Sequence, residues 1–186
     1  AFGAGIIISI DGSAYPWRGD KVAGWGFTAS LPGQAFLVDF AGPVVTCPQG
    51  DFFAGAKAPT NNTGELSGLL MALTWLAAAW SESAFPIAPV RFEYDSDYAA
   101  NMSRRVWRPK ENVVLILAVR RQLDIVSRRA PVAWKHVFSH TGDLLNDRAD
   151  LLAKVGAKGD TRASDKTHFK LLLQGQRGNP WDDPSA

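Results

Sequence analysis

Cysteine is almost absent. Cys47 stands alone in 186 residues, which excludes an intrachain disulfide framework and a cysteine-based zinc site. A reducing, intracellular setting is the expectation that follows. Long apolar runs are missing too: no stretch of about 18 uninterrupted apolar residues occurs, so no membrane-spanning helix and no membrane partner are expected. The apolar opening, residues 1–10, carries no basic segment and runs straight into Asp11-Gly12, so it reads as a strand rather than a leader. With Ala1 in place of an initiator Met, the chain reads as a processed product or one domain of a longer protein. Internal repeats are absent. A hydrophobic fraction of 46% with 20% charged residues still builds one globular domain with some trailing sequence.

A large net charge is also lacking, since the total is only +2; what is present is an uneven distribution. Residues 104–135 hold Arg104, Arg105, Arg108, Lys110, Arg120, Arg121, Arg128, Arg129 and Lys135 against Glu111 and Asp124, so this stretch is +7 and the remainder −5. A basic zone beside an acidic remainder suits a protein that grips phosphates in one place and cations in another. A solvated, Arg-rich helix face is the plainer alternative.

Hydrophobic periodicity orders the elements. Residues 6–10 read as a first strand that stops at an Asp11-Gly12 turn. Residues 24–30 and 35–41 read as two more strands, completing an antiparallel meander. A Gly- and Pro-rich loop, 42–59, follows. Leu66, Leu69, Leu73, Leu76 and Trp80 recur at spacings of three and four, one apolar stripe on a helix over 63–80. Residues 90–94 form a fourth strand, parallel to the first if a βαβ crossover joins them. A short helix follows Asp95, and another covers 112–129 with Ile116, Val119, Leu123 and Val126 inward. Residues 133–138 are a fifth strand and 146–155 a last helix. The expected fold class is therefore α/β: a mixed five-stranded sheet, three antiparallel strands then parallel ones, flanked by helices. Residues 1–158 are expected as the folded domain and 159–186 as a C-terminal tail or linker.

Four carboxylates fall at telling places. Asp11 and Asp95 end strands expected to be parallel neighbours, where open α/β sheets usually place ligands. Glu65 lies in the first turn of the long helix, and Asp150 on the final helix with Asn146 four residues before it. If they converge, they cannot all stay ionised without a cation, and hard oxygen donors suit Mg²⁺ or Mn²⁺. Each acid alone has a structural reading. Asp11-Gly12 can be a turn, Asn62 can cap the helix with Glu65 reaching back, Asp95 can cap a helix beginning near Ser96, and Asp150 can be a solvated charge.

Five segments in order carry a resemblance: Ile8-Ser9-Ile10-Asp11-Gly12-Ser13, Thr60-Asn61-Asn62-Thr63-Gly64-Glu65-Leu66, Tyr94-Asp95-Ser96-Asp97-Tyr98, Ser139-His140-Thr141-Gly142, and the run from Asn146 to Ala153. Over about residues 6–157 the chain resembles ribonuclease H type 1, including the domains attached to reverse transcriptases. The resemblance implies a ribonuclease H-like fold and endonucleolytic hydrolysis of the RNA strand of RNA–DNA hybrids by two metal ions. It implies a metal-binding quartet of Asp11, Glu65, Asp95 and Asp150, with Asp147 the rival for the fourth place, and Mg²⁺, or Mn²⁺ in its stead, as cofactor. His140 would move protons or help release product, whereas His136 and His168 match no motif.

The same resemblance gives substrate contacts to Gly12, Ser13, Thr60, Asn61 and Asn62, where amide and backbone groups identify the RNA 2′-OH. Asn112 with Thr60 would hold a DNA phosphate. The family's arginine before that threonine is absent here; Ala58 stands there, with Lys57 beside it as a point charge. The segment between Asp95 and Asn112 is too short for the basic insertion of many cellular members, a trimmed form familiar from retroelement-type domains. Trp107 is open to stacking on nucleic acid, whereas core packing suits Trp134. The expected partners are an RNA–DNA hybrid and a reverse transcriptase or other domain of the same polyprotein. Two other readings stand beside this one: a catalytically silent hybrid-binding or scaffold module, and a different nuclease of the same broad fold.

Overall fold

Three strands open the chain: β1 (Ile6–Trp17), β2 (Asp20–Ser30) and β3 (Leu37–Pro43). The computed structural model describes residues 5–139 and 141–164. β1 and β2 form a long hairpin closed by Arg18 and Gly19, both at positive φ, as a two-residue turn with the twist of its strands requires. The expected turn at Asp11-Gly12 is therefore corrected. Both residues stay inside β1, opposite Gly26 and Trp25. Gly12 is there because a helix crosses it: a Cβ would lie 2.4 Å from the Glu65 nitrogen and 2.7 Å from the Asn61 oxygen.

That helix is α1 (Asn61–Ser81). The chain continues through β4 (Val90–Tyr94), α2 (Asp97–Ser103), α3 (Val113–Ser127), β5 (Val132–His136), α4 (Leu144–Ala157) and β6 (Arg162–Ala163). The sheet order is β5-β4-β1-β2-β3-β6. β1 to β3 pair antiparallel, while β1–β4 and β4–β5 pair parallel, as expected.

The strand count is six, not five. After α4 the chain reverses at Gly159, in the left-handed region, and sets Arg162 and Ala163 against Ala41 and Phe40. Two hydrogen bonds hold the return, one of them to a side chain: Ser164 N donates to Asp39 O at 2.9 Å, and Asp39 N donates to Ser164 Oγ at 3.1 Å. A two-residue strand carries no alternation to reveal it, so sequence reading leaves it in the tail.

Helices cover both faces. The expected stripe of α1 is fully buried, but so are Leu70, Met71, Ala72 and Trp75; a helix apolar all round lies inside the protein. Trp75 packs on Phe27 and Phe40 at ring separations of 5.9 and 5.6 Å. Ile116, Val119, Leu123 and Val126 face inward from α3 as expected. The opposite face belongs to α4, which lies against β2 at backbone contact distance: a Cβ on Gly24 would fall 2.0 Å from the Ala157 nitrogen.

Candidate active site

The parallel register of β1 and β4 ends at Ser9 opposite Glu93. Asp11 and Asp95 stand two residues further on, so both side chains project from the same face past the last paired position. Glu65 arrives from the other side, one turn into α1 and not in its first turn as expected, because the helix already begins at Asn61. The capping expectation for that helix is corrected: Thr60 is the N-cap, not Asn62, and Thr63 reaches back, not Glu65. Thr60 Oγ1 accepts from Thr63 N at 3.1 Å and Thr63 Oγ1 accepts from Thr60 N at 2.9 Å. With the helix end satisfied by two threonines, the Glu65 carboxylate is free for other work. Carboxylate oxygens of Asp11, Glu65 and Asp95 all lie within 4.8 Å of one another.

Such crowding is costly in the absence of a cation. Burial, then the neighbouring Asp95, then Asp150 and Glu65 push the Asp11 carboxyl up to about 8, although the Gly12 N–H at 2.8 Å pulls the other way. Burial and Asp95 likewise push Glu65 up to about 7 against an opposing hydrogen bond from Ser96. Glu65 Oε2 is buried without a hydrogen-bond partner. A buried carboxylate oxygen left unpaired beside two more acids fits a hard divalent cation such as Mg²⁺ or Mn²⁺.

Asp95 is held in place by Ser139, whose hydroxyl donates to Asp95 Oδ2 at 2.7 Å. The fourth acid stands apart. Asp150 lies close enough to act on Asp11 but outside the trio, and its Oδ2 accepts from Lys154 Nζ at 2.8 Å. Asp147 is exposed and does not act on Asp11, so of the two acids on α4 it is Asp150 that faces the trio. His140 and His168 lie outside the described residues.

A family model for RNase H matches residues 5–158. The chain belongs to the ribonuclease H family. Similar proteins named Ribonuclease H include one from Nitrosomonas eutropha, 32% identical over 117 residues, which is 58% of this chain and 72% of that one. Another, from Pseudomonas paraeruginosa, is 32% identical over 119 residues, covering 57% and 72% of the two chains. Among solved structures, RNase H1 from the halophilic archaeon Halobacterium salinarum superposes with a TM-score of 0.55 at 18% identity, over 82% of this chain and 97% of that one. LC11-RNase H1 in complex with an RNA/DNA hybrid does so with a TM-score of 0.56 at 18% identity, over 82% and 96%. At that identity the structural likeness speaks for the fold. Family membership makes the chain a ribonuclease H by kinship, a hydrolytic nuclease.

The residues expected to contact substrate divide. Thr60, Asn62 and Asn112 line one cleft of about 370 Å³ together with Lys57, Ala58 and Lys110. Asn112 sits at the start of α3 in the left-handed conformation, and its Nδ2 donates to the Tyr98 hydroxyl at 3.1 Å. Asn61 is exposed beside this cleft without lining it; Gly12 is half-buried, and Ser13 is buried. Trp134 stacks on Phe92 at 5.1 Å, a core role as expected, and Trp107 is exposed. Part of the basic zone is structural. Arg105 forms a bidentate pair with Asp124, and Arg120 donates to the carbonyls of Met102 and Trp107. Sequence reasoning missed Ser139, Tyr98 and Lys154. Ser139 and Tyr98 stand in the segments that carry the resemblance without a role assigned to them, and Lys154 was signalled by its spacing of four from Asp150.

The raised carboxyls make a pH prediction. A carboxyl whose folded value lies above its ordinary one stabilises the fold while protonated, and that contribution is lost as pH rises through the folded value. For Asp11 the window runs from 3.8 to about 8, and for Glu65 from 4.5 to about 7. In EDTA the melting temperature is expected to fall steadily between about pH 5 and about pH 8. Added Mg²⁺ should raise it, and raise it more at the upper pH, because the ion binds the ionised carboxylates. A metal-free melting temperature that climbs over this interval would contradict the electrostatics described above.

Proposed function

We propose that the chain is an active endonuclease that hydrolyses the RNA strand of RNA–DNA hybrids. The observation that carries this reading is the trio of Asp11, Glu65 and Asp95 with its buried, unpartnered Glu65 oxygen. These three would hold Mg²⁺, or Mn²⁺ in its stead, and Asp150 would join Asp11 to hold a second ion. A pair of such ions activates water and stabilises the leaving oxygen of a phosphodiester. The protein's own part is to hold the acids rigidly. Ser139 orients Asp95, the Gly12 N–H orients Asp11, and the Thr60–Thr63 box leaves Glu65 unspent. His140, beside Ser139 in sequence, would carry a proton to or from the product.

Hybrid recognition rests on the cleft that contains Thr60, Asn62 and Asn112. Its amides suit a phosphate or sugar oxygen, and Lys57 and Lys110 supply point charges where an arginine fork is lacking. Asn61 and Asn62, in the turn of α1 before Glu65, and the backbone near Gly12, which follows Asp11, would meet the 2′-OH that distinguishes RNA from DNA. Ser13, being buried, would act there through its backbone. A neighbouring domain, a reverse transcriptase among the candidates, would add the grip that the short segment between α2 and α3 lacks. No described helix is long and apolar enough to cross a membrane, and an intracellular setting suits the free, exposed Cys47.

A labelled hybrid incubated with the full chain and Mg²⁺ tests the reading. Internal cuts in the RNA strand that stop in EDTA are the expected result. Binding without cutting would favour a silent scaffold module, and cutting of duplex DNA or junctions would favour another nuclease of this fold.

A further inference from the structure

Asp150 is occupied. Its Oδ2 accepts from Lys154 Nζ at 2.8 Å, one turn along α4. The turn that carries this lysine is itself fastened to the sheet, since the Tyr15 hydroxyl donates to the Lys154 carbonyl at 3.0 Å. The ammonium also sits in the field of Asp11, which together with Asp150 raises its proton affinity. A positive charge thus stands beside the acid that remains outside the Asp11–Glu65–Asp95 trio.

We propose that Lys154 is a resident counter-cation that holds Asp150 back from the trio and thereby sets the divalent-ion concentration at which the second metal position fills. This rests on the metal-binding reading above. Asp150 Oδ2 cannot give the same lone pair to an ammonium and to an incoming cation, and the ammonium's charge repels a cation approaching either oxygen, so the second position fills against the pair. Glutamate or aspartate four residues before lysine is the favoured order on a helix, so the pair forms readily and competes continuously. Lys154 is a positioning residue: it acts through Asp150 and does not reach the trio itself. Its side chain is half exposed, so it can swing to solvent once displaced.

Calorimetric titration of the full, metal-free chain with Mn²⁺ tests this. Wild type is expected to show a tighter and a weaker class of site. Lys154→Gln should tighten the weaker class by about fivefold, the factor that corresponds to one well-formed surface pair, and leave the tighter class within about twofold. Lys154→Arg keeps the charge and should titrate like wild type. Lys158→Gln removes an equal charge one turn further along, at the exposed end of α4, and should shift neither class by more than about twofold. Melting temperatures of all variants in EDTA should agree within about four degrees, the most that losing one surface pair costs a chain of this size, which separates the effect from a structural one. Equal shifts in Lys154→Gln and Lys158→Gln, or no shift in the former, would overturn the role of Lys154 alone. A wild-type chain that takes up no Mn²⁺ would overturn the metal reading itself.

Discussion

Replacing Asp11 with Asn is expected to lower cleavage of a hybrid by at least about 10³-fold while making the metal-free protein more stable at pH near 8. The two effects share one cause. Asp11 is 5% exposed, and it is the acid on which burial, Asp95, Asp150 and Glu65 all act. Removing its charge takes away a ligand shared by both proposed ions. The loss of several kcal/mol of transition-state stabilisation then amounts to three or more powers of ten in rate. The same removal relieves the folded state of a buried, crowded anion. A shift of one pKa unit corresponds to about 1.4 kcal/mol, so the gain at pH near 8 is on the order of 1–3 kcal/mol once the imperfectly paired amide is set against it. It should shrink towards nothing near pH 4, where wild-type Asp11 is protonated and carries no penalty. Urea unfolding in EDTA across that interval, beside cleavage rates in Mg²⁺, measures both halves. A variant that lost activity and stability together would show Asp11 to be a structural residue.

Substituting Gly24 with Ala is expected to cost at least about 3 kcal/mol and to lower the melting temperature by about 10 °C. A Cβ at that position would lie 2.0 Å from the Ala157 nitrogen and 2.3 Å from the Ala153 oxygen, and both atoms are helix backbone. Side chains yield by changing rotamer, but a hydrogen-bonded helix has no such freedom, so α4 must lift from the sheet. The contact is reinforced on both sides. A Cβ on Gly26 would lie 2.6 Å from the Ala153 nitrogen, and one on Gly156 would lie 2.3 Å from the Gly42 oxygen. Lifting the helix would loosen buried Ala149, Leu152, Ala153 and Ala157 and carry Asp150 away from Asp11. Activity should therefore fall with stability. Gly33→Ala is the natural contrast. That glycine has positive φ, which Gly24 does not, and open space around it, so the expected cost is about 1 kcal/mol of backbone strain. Equal melting temperatures for the two variants would refute the backbone-contact account.

The two glycine contacts also show where sequence reading reaches its limit. Gly12 beside Asp11 reads as a turn because Asp-Gly pairs usually form one. In the fold it is the point where α1 touches β1, and that touch brings Glu65 to Asp11. Gly24 and Gly26 read as small residues in a strand, with nothing in their own segment to announce a helix from 130 positions further along. Capping failed for a related reason. Asn62 and Glu65 have the right spacing, but Thr60 and Thr63 have it too, and the crossing at Gly12 places the helix start at the earlier pair. The α1 and α3 stripes were legible because their period is local, and β4 because Val90, Phe92 and Tyr94 alternate with Arg91 and Glu93 between Pro89 and Asp95.

By itself the sequence determined what depends on neighbours within a few turns: the apolar faces of α1 and α3, the succession of strands and helices, and the four acids as candidates for one site. Their ordered wording was enough to indicate the family. The tertiary structure alone decided which acids meet. It closed Asp11, Glu65 and Asp95 into one group, left Asp150 on Lys154, and recruited a sixth strand from beyond the last helix. Those outcomes depend on how closely distant backbones approach and on which partner reaches a carboxylate first, and such distances are set by packing between segments, not by order along the chain.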